Sequence, residues 1–532
     1  MTLPALSVVI NCHYPYLPVP AKDDPVSQEE QVFFESLSEN YLPLLELFER
    51  MEIYGVPFRL GMTLSYSLCS LLKNERIMER YQNWLESRIA FGLREQKRVT
   101  GEQRVLAAFY LNRDTERRDA LIINYGMDLA AAFEKFQNRG RIELLASTAT
   151  CAFLPFYASI PEAIQAQIET GLVYHRKLFN KTPGGFWLPD LGWKESLEKF
   201  LLDYNFSYTI VDEKSLKNRP HEPVQTPRGL IVLGRDSGAL RDIDEAFAPP
   251  DKETGGENNG EKIYRRHFTD AGFELSPKAL GDLYRGARSA TGYRYWREGK
   301  KSRVLYDPEK ARALAAEHAR LFLEKRSAVL EAAAETGGLT AGQPISLCVF
   351  QADDLGRFWH EGAFFLGSLF SLAAAQKKIG VYAPGDYVSA QSRLPALEPE
   401  SASALAGDYA EPLLDASNDW IYRHLFRALQ RMIGMTERFP ADTGLKERAL
   451  NQAAREVLLA QSSDWAKILN PACKTAQSAE FAREGIEGAL RNFTTIYEAL
   501  GSNYISTEWL TALERSHPLF PNMNYHVFGR KR

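Results

Sequence analysis

A short apolar run that ends in polar residues recurs along this sequence, and it constrains the fold more than any other feature. Residues 6–10, LSVVI, are apolar and mostly β-branched, and the polar stretch NCHYPY follows them directly. Such a run is typical of a strand buried in a parallel sheet, with polar groups at its carboxyl end. Segments with helical spacing of apolar residues separate the runs, so strands and helices are predicted to alternate. The other strand candidates lie within residues 57–66, 141–155, 184–193, 206–214, 229–236 and 344–354.

This alternation predicts an α/β barrel whose functional groups lie at the carboxyl ends of the strands. Residues 68–140 are almost entirely helical in pattern and are interpreted as a helical insertion. Residues 248–262 are charged and glycine-rich, which favours a mobile loop near the barrel mouth. A linker-like stretch precedes several helical patterns near the end of the chain. We therefore expect a barrel domain over residues 1–392 and a helical domain over residues 413–532.

Charge and cysteine usage exclude several classes of partner. The 64 basic and 68 acidic residues give a formal net charge of -4, so the electrostatics do not favour nucleic acid or an anionic membrane. The five cysteines are widely spaced and form no CxxC pair, which favours a reducing compartment. No apolar run reaches the length of a membrane span, and no signal peptide is recognisable, so a soluble cytoplasmic protein is expected. No cofactor is expected.

A metal site can be drawn from Cys12, His13 and Cys151, but their spacing matches no metal-binding motif. No metal ion is therefore expected. Cys151 is interpreted either as a small buried apolar residue or as a reactive thiol.

Eight strings stand in a distinctive order: NCHYPY, STATCAFLPF, GGFWLPDLGW, TGYRYWRE, FQADDLGRFWHEG, NDWIYRH, LLAQSSDWAKIL and HPLFPNMNY. In order and approximate spacing they resemble glycoside hydrolase family 57 over essentially the whole chain. The most similar members are the bacterial α-amylases and 1,4-α-glucan branching enzymes. The resemblance implies an incomplete (β/α)7 barrel with a helical insertion, and a C-terminal all-helical domain that closes over the cleft. It also implies an α-glucan or another carbohydrate as the partner.

The resemblance further implies a retaining mechanism with a Glu nucleophile and an Asp general acid, whose carboxyl groups must lie about 5 Å apart. The nucleophile position is occupied by Asp190, which keeps the charge on a shorter arm. The acid position is Gln351, whose amide has no proton to give. Asp353 or Asp354 could replace the acid, and in a strand Asp353 would point to the same face as Gln351. Without the family pattern, Asp190 could equally be a carboxylate that caps a loop.

Other departures from the family pattern fall at the same edge of the barrel. The His-x-His motif reads Asn11-Cys12-His13, and the Thr-His motif reads Thr150-Cys151. His13 is interpreted either as a substrate contact or as a satisfied core histidine. Two tryptophans that stack on glucan in the family correspond here to Ala404 and Leu413. The aromatic residues that remain to line the cleft are Trp187, Trp193, Tyr295, Trp296 and Trp359.

Three functional hypotheses follow. The first is a family 57 fold with impaired or lost catalysis, retained for binding a carbohydrate or a partner at the barrel mouth. The second is an active retaining α-amylase or branching enzyme with Asp190 as the nucleophile. The third is an interaction protein whose helical domain binds another protein.

Overall fold

The computed structural model describes residues 3–21, 24–247, 266, 269–283, 290–297, 304–336, 343–407, 409–473 and 475–530. The loop predicted at 248–262 lies outside these residues.

A single curved sheet forms the centre of the molecule. Eight of its strands run parallel. Seven of them stand in the order β7-β5-β4-β3-β2-β1-β8, the eighth, β9, pairs with β1, and β6 adds an antiparallel edge beside β7. The pairing of β1 with β8 extends from Ala5 opposite Ile345 to Asn11 opposite Gln351. The strands are β1 (Ala5–Cys12), β2 (Leu60–Leu64), β3 (Ile142–Ser147), β4 (Gly185–Trp187), β5 (Tyr208–Val211), β6 (Val224–Gln225), β7 (Ile231–Gly234), β8 (Ile345–Gln351) and β9 (Gly380–Val381).

The two ends of the parallel sheet approach each other just beyond β7. Arg235 forms an isolated parallel bridge with Leu347 of β8, and the Asp236 amide donates to the Leu347 carbonyl at 2.9 Å. One main-chain contact thus joins the outer strands where a complete barrel would have a further strand pair. The predicted incomplete (β/α)7 barrel is confirmed.

Helices surround the sheet. Ser27 begins the first of them with a capping box, in which its hydroxyl accepts from the Glu30 amide and the Glu30 carboxylate accepts from the Ser27 amide. The helices are α1 (Gln28–Ser36), α2 (Leu42–Ile53), α3 (Tyr66–Leu72), α4 (Glu75–Arg98), α5 (Gly101–Asp119), α6 (Leu129–Asn138), α7 (Pro161–Phe179), α8 (Ser196–Asp203), α9 (Ser237–Phe247), α10 (Pro277–Leu280), α11 (Pro308–Thr336), α12 (Gly362–Gln376), α13 (Pro384–Ala390), α14 (Trp420–Arg438), α15 (Leu445–Ala460), α16 (Ser463–Leu469), α17 (Ala479–Gly501) and α18 (Thr507–Ser516).

The strand alternation divides the apolar core between the two faces of the sheet. Val9 packs inside the barrel with inward residues of other strands, whereas Val8 and Ile10 pack outward against surrounding helices. The helices after residue 413 share one continuous apolar core with α7 and α8, to which Leu172 and Leu458 both belong. None of the helices in the described part of the chain is both long and apolar enough to span a bilayer.

Candidate active site

Parallel strands bring the segments that follow them to one edge of the sheet. His13 follows β1, Cys151 lies beyond β3 and Asp190 lies beyond β4. Helix α16 places Asp464 and Lys467 over this edge, because residues three apart lie on the same helix face. The five side chains come from four separate parts of the chain, and we refer to them as the mouth cluster.

The start of α16 is fixed directly to one member of the mouth cluster. Ser462 caps the helix, since its hydroxyl accepts from the Asp464 amide. The next residue, Ser463, donates to the Cys151 carbonyl from both its amide, at 3.2 Å, and its hydroxyl, at 2.7 Å. Cys151 itself adopts a left-handed conformation with φ of 57°. These contacts explain how a helix more than 300 residues away positions charged groups at the ends of the strands.

Asp190 forms a close ion pair at the predicted nucleophile position. Its Oδ1 lies 2.5 Å from the Lys467 Nζ, and the two side chains are only 15% and 22% exposed. Burial disfavours the lysine charge, but the Asp190 carboxylate overcomes this and raises the pKa of Lys467 above its usual value. The other carboxylate oxygen, Oδ2, is buried and accepts no hydrogen bond from the residues described. Asp190 therefore holds one oxygen in an ion pair and leaves the other available.

His13, Cys151 and Asp464 form the other half of the mouth cluster. The His13 Nε2 lies 2.7 Å from the Asp464 Oδ1, and one ligand atom from each of the three residues lies within 4.8 Å of the other two. Burial lowers the pKa of His13, but the Asp464 carboxylate and Cys151 raise it well above its usual value. His13 is thus a buried side chain paired with Asp464 within this cluster.

Cys12 does not join His13, although it precedes it in the sequence. Its side chain is buried among the outward-packing residues of the sheet, and burial raises the pKa of this thiol well above its usual value. The combination of Cys12, His13 and Cys151 drawn from the sequence is therefore wrong. The third member beside His13 and Cys151 is Asp464 from α16.

Gln351 belongs to a neutral amide network at the end of β8. Its Oε1 accepts from the Asn11 Nδ2 at 2.7 Å, and the Asn11 Oδ1 accepts from the Thr63 hydroxyl at 2.5 Å. Asn11 and Gln351 are direct neighbours in the pairing of β1 with β8. The network contains no proton donor with the acidity of a carboxylic acid.

Asp353 and Asp354, the two candidates for a replacement acid, are engaged by other groups. Strand β8 ends at Gln351, so the expectation that Asp353 points to the same face by strand alternation is wrong. Asp353 accepts from the Asn40 Nδ2 at 2.6 Å and from the Arg357 Nη2 at 3.0 Å. Asp354 turns back on the chain and accepts from the Gln351 amide at 2.9 Å. Both carboxylates help to close the turn that follows β8.

The aromatic residues predicted to line the cleft are mostly buried. Trp193 is 1% exposed and donates from its Nε1 to the Pro399 carbonyl at 3.2 Å, and Trp187 packs inside the barrel. Tyr295 and the partly buried Trp296 pack with the apolar cluster of α4 and α5, and Trp359 packs with the outer helices. The rings of Trp187, Trp193, Tyr295 and Trp359 are each 5% exposed or less, so none of the four presents an open face to a sugar in this structure.

The two positions at which the family resemblance implies stacking tryptophans serve as packing sites here. Leu413 is fully buried in the C-terminal core. The Ala404 side chain packs against the barrel interior, and its amide donates to the Asp190 carbonyl at 2.8 Å. That contact helps to fix the left-handed main-chain conformation of Asp190, whose φ is 55°.

Sequence reasoning missed Asp464 and Lys467, although both lie in the quoted string LLAQSSDWAKIL. The available signal was two opposite charges three residues apart within an otherwise apolar helix. Their partners are 277 and 451 residues away in the sequence, so spacing along the chain could not identify them.

Comparisons with known proteins agree with this architecture. Residues 7–235 match the family described as glycosyl hydrolase family 57, and residues 424–528 match the C-terminal family of 1,4-alpha-glucan branching enzymes. The 1,4-alpha-glucan branching enzyme TK1436 of Thermococcus kodakarensis is 25% identical over 521 residues, which cover 92% of this chain and 72% of that protein.

Solved structures extend the similarity over the full length. The α-amylase AmyC of Thermotoga maritima is 28% identical with a TM-score of 0.88, and the match covers 100% of both chains. The branching enzyme of Pyrococcus horikoshii has the same fold, with a TM-score of 0.84 at 21% identity over 99% of this chain and 97% of that one. The two family matches, the order of the motifs and the half-barrel with its helical C-terminal region lead to one conclusion. The chain contains a glycosyl hydrolase family 57 domain over residues 7–235 and a C-terminal domain of the branching-enzyme type over residues 424–528.

Proposed function

We propose that this chain is an α-glucan-binding member of family 57 whose catalysis is impaired or lost. The observation that carries the proposal is Gln351, a neutral amide bonded to Asn11 at the position where the family resemblance implies the general acid. Loss of general acid catalysis lowers a rate by about 100- to 10,000-fold. The five free cysteines are consistent with the reducing, cytoplasmic setting that we also propose.

The ion pair of Asp190 adds a second obstacle to catalysis. A nucleophile must approach the anomeric carbon, but one Asp190 oxygen is bound to a buried ammonium at 2.5 Å. The Asp side chain is also one methylene shorter than Glu, and a misplacement of about 1 Å can cost about 100-fold in rate. The raised pKa of Lys467 makes its ammonium a poor proton donor, so it does not replace the missing acid.

The test is an assay on amylose with the purified full-length chain. Branching is followed by the iodine stain and hydrolysis by the release of reducing ends, with an active branching enzyme as the positive control. Because enzymes typically turn over at about 1 per second or faster, two losses of about 100-fold or more each would reduce a rate of about 1 per second to about 0.0001 per second or less. Turnover at ordinary rates that disappears in Asp190→Ala would overturn the proposal.

Glucan binding is measured separately, by retardation of the chain in a native gel that contains amylose. We expect retardation of the wild type and of Asp190→Ala, since binding does not require the nucleophile. Migration that amylose leaves unchanged would contradict the binding half of the proposal. A native pull-down would then decide whether the chain serves a protein partner instead.

The second candidate function is an active retaining α-amylase or branching enzyme with Asp190 as nucleophile. The buried Oδ2 of Asp190 favours it, because this oxygen is unpartnered within the described structure and could attack a sugar. The similarity to the α-amylase AmyC also favours it. Incubation with an activated fluoro-sugar would trap a glycosyl adduct on Asp190, which mass spectrometry would detect as a modified peptide absent from Asp190→Ala. Failure to form this adduct would count against an active enzyme.

A further inference from the structure

We propose that Cys151, His13 and Asp464 bind a divalent transition-metal ion of the Zn²⁺ class at the barrel mouth. The site is independent of glycoside cleavage, and the sequence alone predicted no metal here.

The three residues offer a thiolate, an imidazole and a carboxylate, which together form a donor set that zinc accepts. Their ligand atoms already lie within 4.8 Å of one another. Bond lengths of about 2.0–2.3 Å around a tetrahedral ion place donors about 3.3–3.8 Å apart. Side-chain adjustments of about 1 Å would therefore close the set around an ion, and three protein donors leave a fourth position open to solvent or ligand.

The charge of the mouth cluster matches a dication. With Cys151 as thiolate and His13 neutral, Cys151 and Asp464 carry one negative charge each. The charges of Asp190 and Lys467 cancel, because these groups form an ion pair. The net charge of about -2 would be neutralised by one divalent ion.

Neighbouring groups hold the three donors in place without occupying all of their atoms. The Asp464 Oδ2 accepts from the Ser462 hydroxyl at 2.8 Å, and Ser463 holds the Cys151 carbonyl. Such supporting bonds commonly orient metal ligands. The His13 Nδ1 is buried and has no hydrogen-bond partner in the described part of the chain. The donor atoms that face each other are the His13 Nε2 and the Asp464 Oδ1, 2.7 Å apart, and an ion would replace the hydrogen between them.

The test uses the untagged full-length protein, reduced and freed of metal by a chelator. Titration with Co²⁺ should give one equivalent of binding, with the visible bands of tetrahedral Co²⁺ and a thiolate-to-metal charge-transfer band in the near ultraviolet. Zn²⁺ should displace the Co²⁺ and abolish these bands. The readout is absorbance, so it does not depend on whether the chain cleaves glucan.

Two variants and a matched control assign the donors. Cys151→Ser should abolish the charge-transfer band, and Asp464→Asn should weaken Co²⁺ binding by at least about 10-fold. Cys473→Ser is the control, because Cys473 interacts electrostatically with Asp190 and Lys467 but is not one of the three donors. It should behave as the wild type. Circular dichroism verifies that each variant is folded.

Three outcomes would overturn the proposal. One is no stoichiometric Co²⁺ binding to the wild type at micromolar concentrations. Another is a charge-transfer band that survives in Cys151→Ser or is lost in Cys473→Ser. The third is a melting temperature that Zn²⁺ raises equally in the wild type and in Cys151→Ser, because the ion would then be bound elsewhere. In each case His13 and Asp464 would be a structural pair only.

Discussion

Replacement of Asp190 by Asn tests whether the ion pair with Lys467 stabilises the fold. Removing one partner of a buried ion pair leaves the other charge uncompensated, which costs about 3–5 kcal/mol. Lys467 is 22% exposed and also interacts with the Asp464 carboxylate, so part of its charge remains compensated. We therefore expect Asp190→Asn to lower the free energy of unfolding by about 2–3 kcal/mol. Asn tolerates the left-handed main-chain conformation at this position, so a change in main-chain strain offsets this loss of stability only weakly.

Thermal unfolding followed by circular dichroism measures the effect. An unfolding entropy of about 2.1 cal/mol/K per residue gives about 1.1 kcal/mol/K for the whole chain if it unfolds as one unit, so the melting temperature should fall by about 2–3 °C. Lys467→Met should also destabilise, because it leaves the Asp190 carboxylate buried without its partner. The double variant should lie within about 1 kcal/mol of the wild type, since an apolar side chain and a neutral amide leave no unpaired charge.

The outcome that refutes this reasoning is specific. If Asp190→Asn melts at or above the wild-type temperature and the two single changes add in the double variant, the ion pair does not stabilise the fold. Asp190 would then be a group whose geometry is maintained at the expense of stability, as expected of a working nucleophile. That result would favour the active-enzyme candidate.

Three further predictions concern catalysis, pH and packing. The variant Asp190→Glu with Gln351→Asp should remain far below about 1 per second on amylose, because Asn11, Cys151, Ala404 and Leu413 would still leave a bound sugar without the contacts that position its anomeric carbon for attack. Ordinary rates would show that the pair alone was limiting. Burial lowers the pKa of His175 to about 3, whereas the unfolded value is about 6.5, so its contribution to stability is present above pH 6.5 and is lost as the pH falls towards 3. Urea unfolding should show that acidification from pH 7 to 5 costs the wild type about 2 kcal/mol more than His175→Phe, and equal losses would contradict this. A Cβ on Gly171 would meet a main-chain oxygen of β3 at 2.4 Å, so Gly171→Ala should destabilise the protein by about 1–3 kcal/mol. The control is Gly488→Ala in α17, whose Cβ would meet nothing within 4 Å and which should instead stabilise the protein by up to about 1 kcal/mol. Similar melting curves for the two variants would contradict this prediction.

The positions of seven parallel strands along the chain were accessible from local patterns. Each of these seven strands is a short apolar run, and burial on both faces of a sheet requires such a run whatever its neighbours are. Strands β6 and β9 are only two residues long and were not predicted. They show no periodicity, because their pairing depends on the position of the adjacent strand rather than on their own sequence.

The site was predicted in part. The features that depend on neighbouring residues in the sequence could be predicted, whereas those that depend on contacts between distant residues could not. The positions of Asp190 and Gln351 after their strands could be predicted from motifs, because a strand and the turn that follows it are continuous in the chain. The turn after Gln351 could not, since Asp353 and Asp354 are oriented by hydrogen bonds that replace the strand alternation. The burial of Trp193 could not be predicted from the sequence either, because it depends on the packing of residues near Pro399.

The sequence by itself determined the family resemblance, the alternation of strands and helices, and the presence of a glutamine at position 351, where that resemblance implies an acid. Only the tertiary structure decided which charges meet at the mouth of the barrel. The bond between His13 and Asp464 joins residues 451 positions apart, and the pair of Asp190 and Lys467 joins residues 277 positions apart. Such contacts leave no periodic or motif signal in one sequence, because their energy depends on the geometry with which the C-terminal helices pack on the barrel.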